Sequence, residues 1–176
     1  MDFEFTEAIS HPRERVYELL KNGLTDLVPL VPNVIQVTEL SREQIGPGEE
    51  NIVNEWHGDP GSAPRLLRPF IRPEMQIWRD YAHWVDHEYL VHWRFEAPSF
   101  ANFYECGGTN YVEEDGSGGT IVRLTGTLVT HPERIRGVPK GLARKLAPTV
   151  EKWLINLVSP NLSELPKAVQ QFLDQE

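Results

Sequence analysis

The fold turns on the stretch Leu142-Ala143-Arg144-Lys145-Leu146-Ala147-Pro148-Thr149-Val150-Glu151-Lys152-Trp153-Leu154-Ile155-Asn156-Leu157-Val158. Leu142, Leu146, Val150, Trp153, Leu154, Leu157 and Val158 recur at spacings of three and four, which makes one apolar face on a helix. That spacing predicts that Leu146, Val150, Trp153 and Leu157 are buried against a second layer. Arg144, Lys145, Glu151 and Lys152 fall on the other faces. Pro148 either kinks this helix or begins its main segment. Pro160 and Pro166 punctuate the tail, where Val169, Phe172 and Leu173 dock a last turn.

Upstream the period changes from helical to two, as in strands. Val34 to Gln44 reads as a strand, turned by Gly46-Pro47-Gly48 into another at Asn51 to His57. Glu74 to Trp84 and Glu88 to Glu96 form a hairpin around Asp86-His87. Asn102 to Val112 and Thr120 to Thr130 form a second, closed by the turn from Glu113 to Gly119. At the start, Asp2 to Ala8 is a strand with Phe3 and Phe5 on one face. Ser10-His11-Pro12 opens a helix carrying Val16, Leu19 and Leu20, which Asn22-Gly23 ends. A second short helix, Leu24 to Leu30, is stopped by Pro29 and Pro32. Between strands, Asp59 to Pro73 is a long loop holding Pro60, Pro64, Pro69 and Pro73 with Arg65, Arg68 and Arg72. An antiparallel sheet with one apolar face must cover that face, and only the C-terminal helix is long enough to do so. A sheet curved around one helix leaves a space between them.

This order, together with Ile9-Ser10-His11-Pro12-Arg13-Glu14-Arg15-Val16-Tyr17, the Leu24 to Pro32 segment and the helix from Gly137 to Val158, resembles the START-like (SRPBCC) superfamily. That superfamily includes the birch-pollen-allergen fold, polyketide cyclases and lipid-transfer domains. The resemblance implies an α+β helix-grip fold. In it a curved antiparallel sheet of about seven strands wraps a long C-terminal helix, with two short helices between the first two strands. It implies one ligand-binding domain over residues 1–176. It also implies a cavity between sheet and helix, but no particular chemistry. The Pro/Arg loop and the tail beyond Pro160 are longer than the superfamily pattern; either caps the cavity or forms a partner surface.

Composition narrows the function. The 176 residues carry 26 acidic and 17 basic side chains, a formal charge of −9, which disfavours nucleic acid and anionic headgroups as general partners. No window reaches the roughly 18 consecutive apolar residues of a spanning helix, so stable membrane insertion is not expected. Cys106 is the only cysteine, which rules out an intramolecular disulfide. The N-terminus lacks the basic-then-apolar pattern of a secretory signal, and the expectation is a cytoplasmic protein.

The aromatic residues supply the candidate site. Trp56, Trp78, Trp93 and Tyr104 lie on strands and Trp153 on the apolar face of the helix, beside Leu146 and Val150. Val91, Trp93 and Phe95 share a face, as do Val122, Leu124, Gly126 and Leu128. Each ring alone fits a packed core. As a set they suit a pocket, because Gly107, Gly108 and Gly126 remove side-chain volume within strands or mark bends. Leu124 is an expected wall residue. On Glu74 to Trp84 the faces Met75/Ile77/Arg79/Tyr81 and Gln76/Trp78/Asp80/Ala82/Trp84 are about equally apolar, so periodicity leaves the register open. With the first face inward, Arg79 and Tyr81 are polar anchors suited to a ligand carboxylate or phenolate. If Arg79 instead meets a protein carboxylate, it is structural and the pocket takes a neutral lipid.

Other patterns point away from chemistry. His83, His87 and His92 are spaced for a metal on a helix but sit on a strand and turn. Nothing local activates Cys106, and the run Asp115 to Gly119 is a hairpin turn without a helix N-terminus for phosphate. Neither a cofactor nor a metal is implied. Three functions remain open: a binding or carrier protein for a hydrophobic small molecule such as a lipid, isoprenoid or aromatic polyketide, a cyclase-like enzyme, and a protein-interaction module.

Overall fold

The computed structural model describes residues 1–59, 61, 73–100, 104–131, 141, 145, 148 and 164–176. Its elements are β1 (Asp2–Ile9), α1 (Arg13–Asn22), α2 (Leu24–Leu27), β2 (Val34–Gly46), β3 (Glu49–Gly58), β4 (Ile77–Val85), β5 (Leu90–Glu96), β6 (Tyr104–Glu114) and β7 (Thr120–Thr130). A helix over residues 164–173, α3, follows. The seven strands make one antiparallel sheet in the order β1-β7-β6-β5-β4-β3-β2. β2 to β7 are a meander of hairpins, and β1 forms the far edge by pairing with β7.

Boundaries move where backbone chemistry overrides the alternating pattern. Glu74 to Gln76, read from sequence as the start of a strand, belong to a 3₁₀ turn over Pro73–Gln76. Pro73 has its φ locked near the helical value and no N–H to give a ladder. Asp86 to Glu88 is another such turn, ended by Tyr89 in the left-handed region at φ 52°. β2 carries three register shifts, at Val34/Gln36, Glu39/Ser41 and Gln44/Gly46. Bulges on an edge strand bend it and spoil its free edge for further pairing, which matters here because Ile35, Leu40 and Ile45 on β2 are exposed.

Strand register sorts the side chains into two faces. On the inner face Ile52, Asn54 and Trp56 oppose Ala82, Asp80 and Trp78. Asp80, Ala82 and Trp84 oppose Phe95, Trp93 and Val91. The row continues through Cys106, Gly108 and Asn110 to Leu128, Gly126 and Leu124, and ends on Phe3 and Phe5. One end of this face is packed beneath α1 and α3. Tyr17 meets Trp84 edge-on at 5.3 Å, and Val16, Leu20, Leu27, Ala168 and Val169 are all buried in the same cluster.

Lys21 and Tyr17 pair with Asp86 at this packed end. Lys21, buried on α1, reaches Asp86 at 2.7 Å and Glu50 at 3.2 Å, and Tyr17 donates to Asp86 at 2.9 Å. Burial raises the Asp86 pKa, but the bonds from Lys21 and Tyr17 outweigh it and hold the carboxyl below its ordinary range. α3, expected as a single last turn, is a full helix with Pro166 tolerated in its first turn. Val169 and Leu173 are buried, Gln170 accepts from Ser10 N at 2.7 Å, and Asp174 lies 2.8 Å from His11 Nε2.

The stripe Leu146, Val150, Trp153 and Leu157 lies outside the described residues, as does most of the Asp59 to Pro73 loop. Gly141, Lys145 and Pro148 are helical and exposed, four and three residues apart, which is the spacing of one helix face.

Trp93 spans the inner face above the Gly108–Gly126 pair. A Cβ on Gly108 would overlap Thr125 O and lie 2.7 Å from Trp93 Cζ2; one on Gly126 would lie 2.5 Å from Phe3 Cζ. The strand glycines expected to free cavity volume therefore seat Trp93 and Phe3 instead. Overpacking of this kind costs about 1–3 kcal/mol. Gly108→Ala should lose at least that much in urea unfolding, with a blue-shifted or quenched Trp93 signal, whereas Gly141→Ala, which meets no atom within 4 Å, should not.

Candidate functional site

β3, β4 and β5 present their inner-face residues in a fixed array. Trp56 and Trp78, opposite each other across β3 and β4, stack with ring centroids 6.0 Å apart and planes 13° off parallel. Trp93 lies 4.7 Å from Phe95 and 6.4 Å from Phe3, and its Nε1 donates to Asn110 Oδ1 at 2.8 Å. Trp56, Trp93 and Leu124 are buried; Trp78, Phe95 and Tyr104 are half-buried.

Asp80 sits in the middle of this aromatic surface. Register gives it Asn54 and Phe95 as cross-strand neighbours, with Trp78 and Ala82 before and after it on the same face. Its Oδ1 is buried and has no hydrogen-bond partner. Burial alone pushes its pKa up to about 7. Two neighbours share the condition: Trp56 Nε1 and Gln76 Oε1 are also buried without partners. Trp84 Nε1, under α1, and Arg13 Nε are further such atoms. Buried polar groups are nearly always paired, so three unpaired atoms on β3, β4 and the turn that leads into β4 call for an explanation.

The outer face corrects the expectation for Arg79 and Tyr81, which point away from Asp80. Arg79 Nε lies 3.3 Å from Glu55 Oε2, and Glu55 also meets His57 Nε2 at 3.2 Å. The hydrogen bond to His57, followed by that to Arg79, holds Glu55 below its ordinary range. Tyr81 lies under the Arg94 guanidinium, 4.5 Å from ring centroid to Cζ. Arg79 is thus paired with a protein carboxylate, and no acid anchor faces inward from β4.

Tyr104 and Cys106 extend the inner face. Burial, followed by the nearby Cys106, raises the Tyr104 pKa, and burial pushes the Cys106 thiol up to about 12. Both stay protonated at neutral pH, as an inert thiol and phenol do. Pairing between β5 and β6 stops at Phe95 opposite Cys106, while β6 continues along β7 as far as Tyr104. The notch this leaves is a cleft of about 670 Å³ lined by Trp93, Phe95 and Tyr104 from the inner face and Arg94, Glu96 and Glu105 from the outer. Phe95, the cross-strand neighbour of Asp80, is one of the cleft's walls. Of the rings expected to line a pocket under the C-terminal helix, Trp93 and Tyr104 line this cleft. Trp56 and Trp78 lie nearer the β2 edge, and Trp153, Leu146 and Val150 are outside the described residues.

The histidines do not gather. His83 and His92 stack on the outer face at 6.1 Å, each bonded through Nδ1, to Asn51 and Thr109, while His87 lies in the exposed turn. Among the described residues no cluster of three or more metal-ligating side chains occurs, and no helix is long and apolar enough to cross a membrane.

No protein-family model matches the sequence, and no curated protein matches it. Solved structures do match along the length of the chain. A protein from Thermus thermophilus is 21% identical with a TM-score of 0.63, covering 96% of this chain and 97% of its own. The Zhui aromatase/cyclase from a Streptomyces species is 18% identical at TM-score 0.60, covering 96% and 95%. Norcoclaurine synthase from Thalictrum flavum is 13% identical at 0.61, covering 100% and 87%. The chain shares the helix-grip fold of these structures. Asp80 and its aromatic neighbours lie on the sheet face that packs against α1 and α3 at its other end.

Sequence reading missed Asp80 because the register of Glu74 to Trp84 was open and polar anchors were sought only on the face carrying Arg79 and Tyr81. The signal available was the even-numbered apolar set Trp78, Ala82 and Trp84, which carries Asp80 with it. A carboxyl whose folded pKa lies above its unfolded value near 3.8 destabilises the fold as pH rises between the two. Asp80→Asn should therefore stabilise the protein at neutral pH by roughly 2–4 kcal/mol at about 1.4 kcal/mol per pH unit. That gain should vanish below about pH 4, where both states of the wild type are protonated. Thermal unfolding of both proteins across that range checks this, and a pH-independent gain would contradict it.

Proposed function

We propose that the chain is a binding or carrier protein that holds a hydrophobic small molecule against the inner face of β3, β4 and β5. The observation behind this reading is the patch of Trp56, Trp78, Trp93 and Phe95 whose polar atoms, Asp80 Oδ1, Trp56 Nε1 and Gln76 Oε1, are buried and unpaired. A core meant only to pack would fill such positions with apolar atoms. Binding sites for small molecules are instead mostly apolar with a few fixed polar groups. The single free thiol fits a cytoplasmic setting, and the whole chain forms one domain in this reading.

A second reading, a cyclase-like enzyme, draws on Asp80 itself. A carboxyl with a pKa near 7 can take or return a proton at neutral pH. Tyr104 and Cys106 would then serve only as donors. The Zhui aromatase/cyclase shares the fold, which supports the class and no residue role.

Native mass spectrometry of protein purified from its own host tests the binding reading. A retained small molecule is expected, released on denaturation, and Trp78→Ala should reduce its occupancy about tenfold through lost ring contact. Host-purified protein of bare polypeptide mass that also leaves an apolar fluorescent probe unbound would count against it.

A further inference from the structure

We infer that Asp80 is the anchor for a positively charged nitrogen, so that the inner face selects aromatic or hydrophobic amines over neutral and acidic analogues of the same shape. This inference rests on the binding reading above.

Three observations carry it. First, the carboxyl meets no compensating charge among the described residues: Arg79 is paired with Glu55 and Arg94 with Glu96 on the outer face, and Asp80 forms no ion pair with any of them. A carboxylate accepts hydrogen bonds only, so a bound molecule completes it with N–H or O–H groups. A charged nitrogen gains most, because the desolvated carboxylate then meets its opposite charge. Second, the rings beside it suit a cation. Trp78 is the preceding residue on the same face, Trp56 stacks on Trp78, and Phe95 faces Asp80 across β5. Indole faces attract ammonium groups, and this attraction grows when water is excluded. Third, an acidic ligand finds no basic partner on this face among the described residues, and it meets a protein of net charge −9.

The unpaired Trp56 Nε1 and Gln76 Oε1 add direction. The first donates and the second accepts, so the same molecule can carry one acceptor and a second donor along the face, away from its charged end. A rigid aryl amine with a ring oxygen is of this type.

The test uses three bicyclic probes of matched shape, naphthylmethylamine, naphthylmethanol and naphthoic acid, titrated calorimetrically into the full chain at about pH 8, where Asp80 is mostly ionised and the amine still mostly charged. The amine is expected to bind at least about tenfold more tightly than the alcohol, and the acid more weakly than either. Asp80→Asn should abolish the amine's advantage while leaving the alcohol within about twofold, which also shows that the variant's pocket is intact. Amine affinity should fall as pH drops through the Asp80 pKa of about 7, because the carboxylate is lost while the amine stays charged, and alcohol affinity should not. Equal affinity for amine and alcohol, or an amine preference that survives Asp80→Asn, overturns the anchor and leaves the hydrophobic site standing. Preference for the acid overturns it as well. Binding of none of the three overturns the site and the anchor together.

Discussion

The register between β3 and β4, with Asn54 opposite Asp80 and Trp56 opposite Trp78, determines what the interior contains. Side chains alternate faces along a strand, so a slip of one residue would exchange the two sets completely. The set now outside includes Glu55, His57, Arg79 and Tyr81, which would bring an ion pair and an imidazole into the interior. Burying both members of an ion pair costs several kcal/mol per ion before their attraction is counted. The set now inside carries one carboxyl and the amide of Asn54 among Ile52, three tryptophans and an alanine. Neither arrangement is free of buried charge, but the observed one buries fewer polar atoms. It is also pinned from its end: Lys21 on α1 holds Glu50 at the start of β3 and Asp86 just beyond β4, so the hairpin cannot slide without breaking a buried ammonium's two contacts.

That clamp divides the sheet into two regions with different chemistry. Under α1 and α3, charged groups are paired and the aliphatic core is sealed, with Val16, Leu27 and Val169 wholly buried. Toward Trp78, Phe95 and Tyr104 the rings are half-buried, three of the five unpaired polar atoms of the described residues belong to Trp56, Gln76 and Asp80, and β5 parts from β6 to open a cleft. Stability is concentrated in the first region, which allows the second to keep groups that a purely structural core would replace. Strain or incomplete pairing at a site, offset elsewhere in the fold, is the usual arrangement in binding proteins.

How much of this was legible in the sequence depends on the kind of signal. Thr120 to Thr130 could be read to the residue, because Val122, Leu124 and Leu128 alternate cleanly between turn residues. The strand after Pro73 began later than its pattern suggested, since proline chemistry outweighs alternation over three or four residues. α3 was underestimated because Pro166 looks like a stop when it sits in a first helical turn. The faces of β4 were undecidable from the strand alone. Ile77 and Tyr81 balance Trp78 and Ala82, and only pairing with β3, where Ile52 and Trp56 alternate against polar neighbours, breaks the tie. The glycines misled for a related reason: an absent side chain shows where volume is available, and only the coordinates show that Trp93 and Phe3 take it.

The interior carboxyl ties stability to occupancy. An occupant that donates to Asp80 relieves a desolvation cost the empty fold bears, in addition to the ordinary stabilisation by mass action. The two effects depend on pH in opposite senses. As pH rises from about 4 to about 7, the empty protein loses stability because the unfolded chain gives up the Asp80 proton that the folded chain keeps, while a cationic occupant gains affinity as folded Asp80 itself ionises around pH 7 and supplies its counter-charge. The group that weakens the empty fold is therefore the one that makes a filled site worth most, and the gap between empty and filled states widens toward alkaline pH. A neutral apolar occupant would leave that gap unchanged, since it offers the carboxylate nothing. The paired charges at Lys21, Glu50 and Asp86 stay outside this coupling, because their contacts are complete whether or not the inner face is occupied.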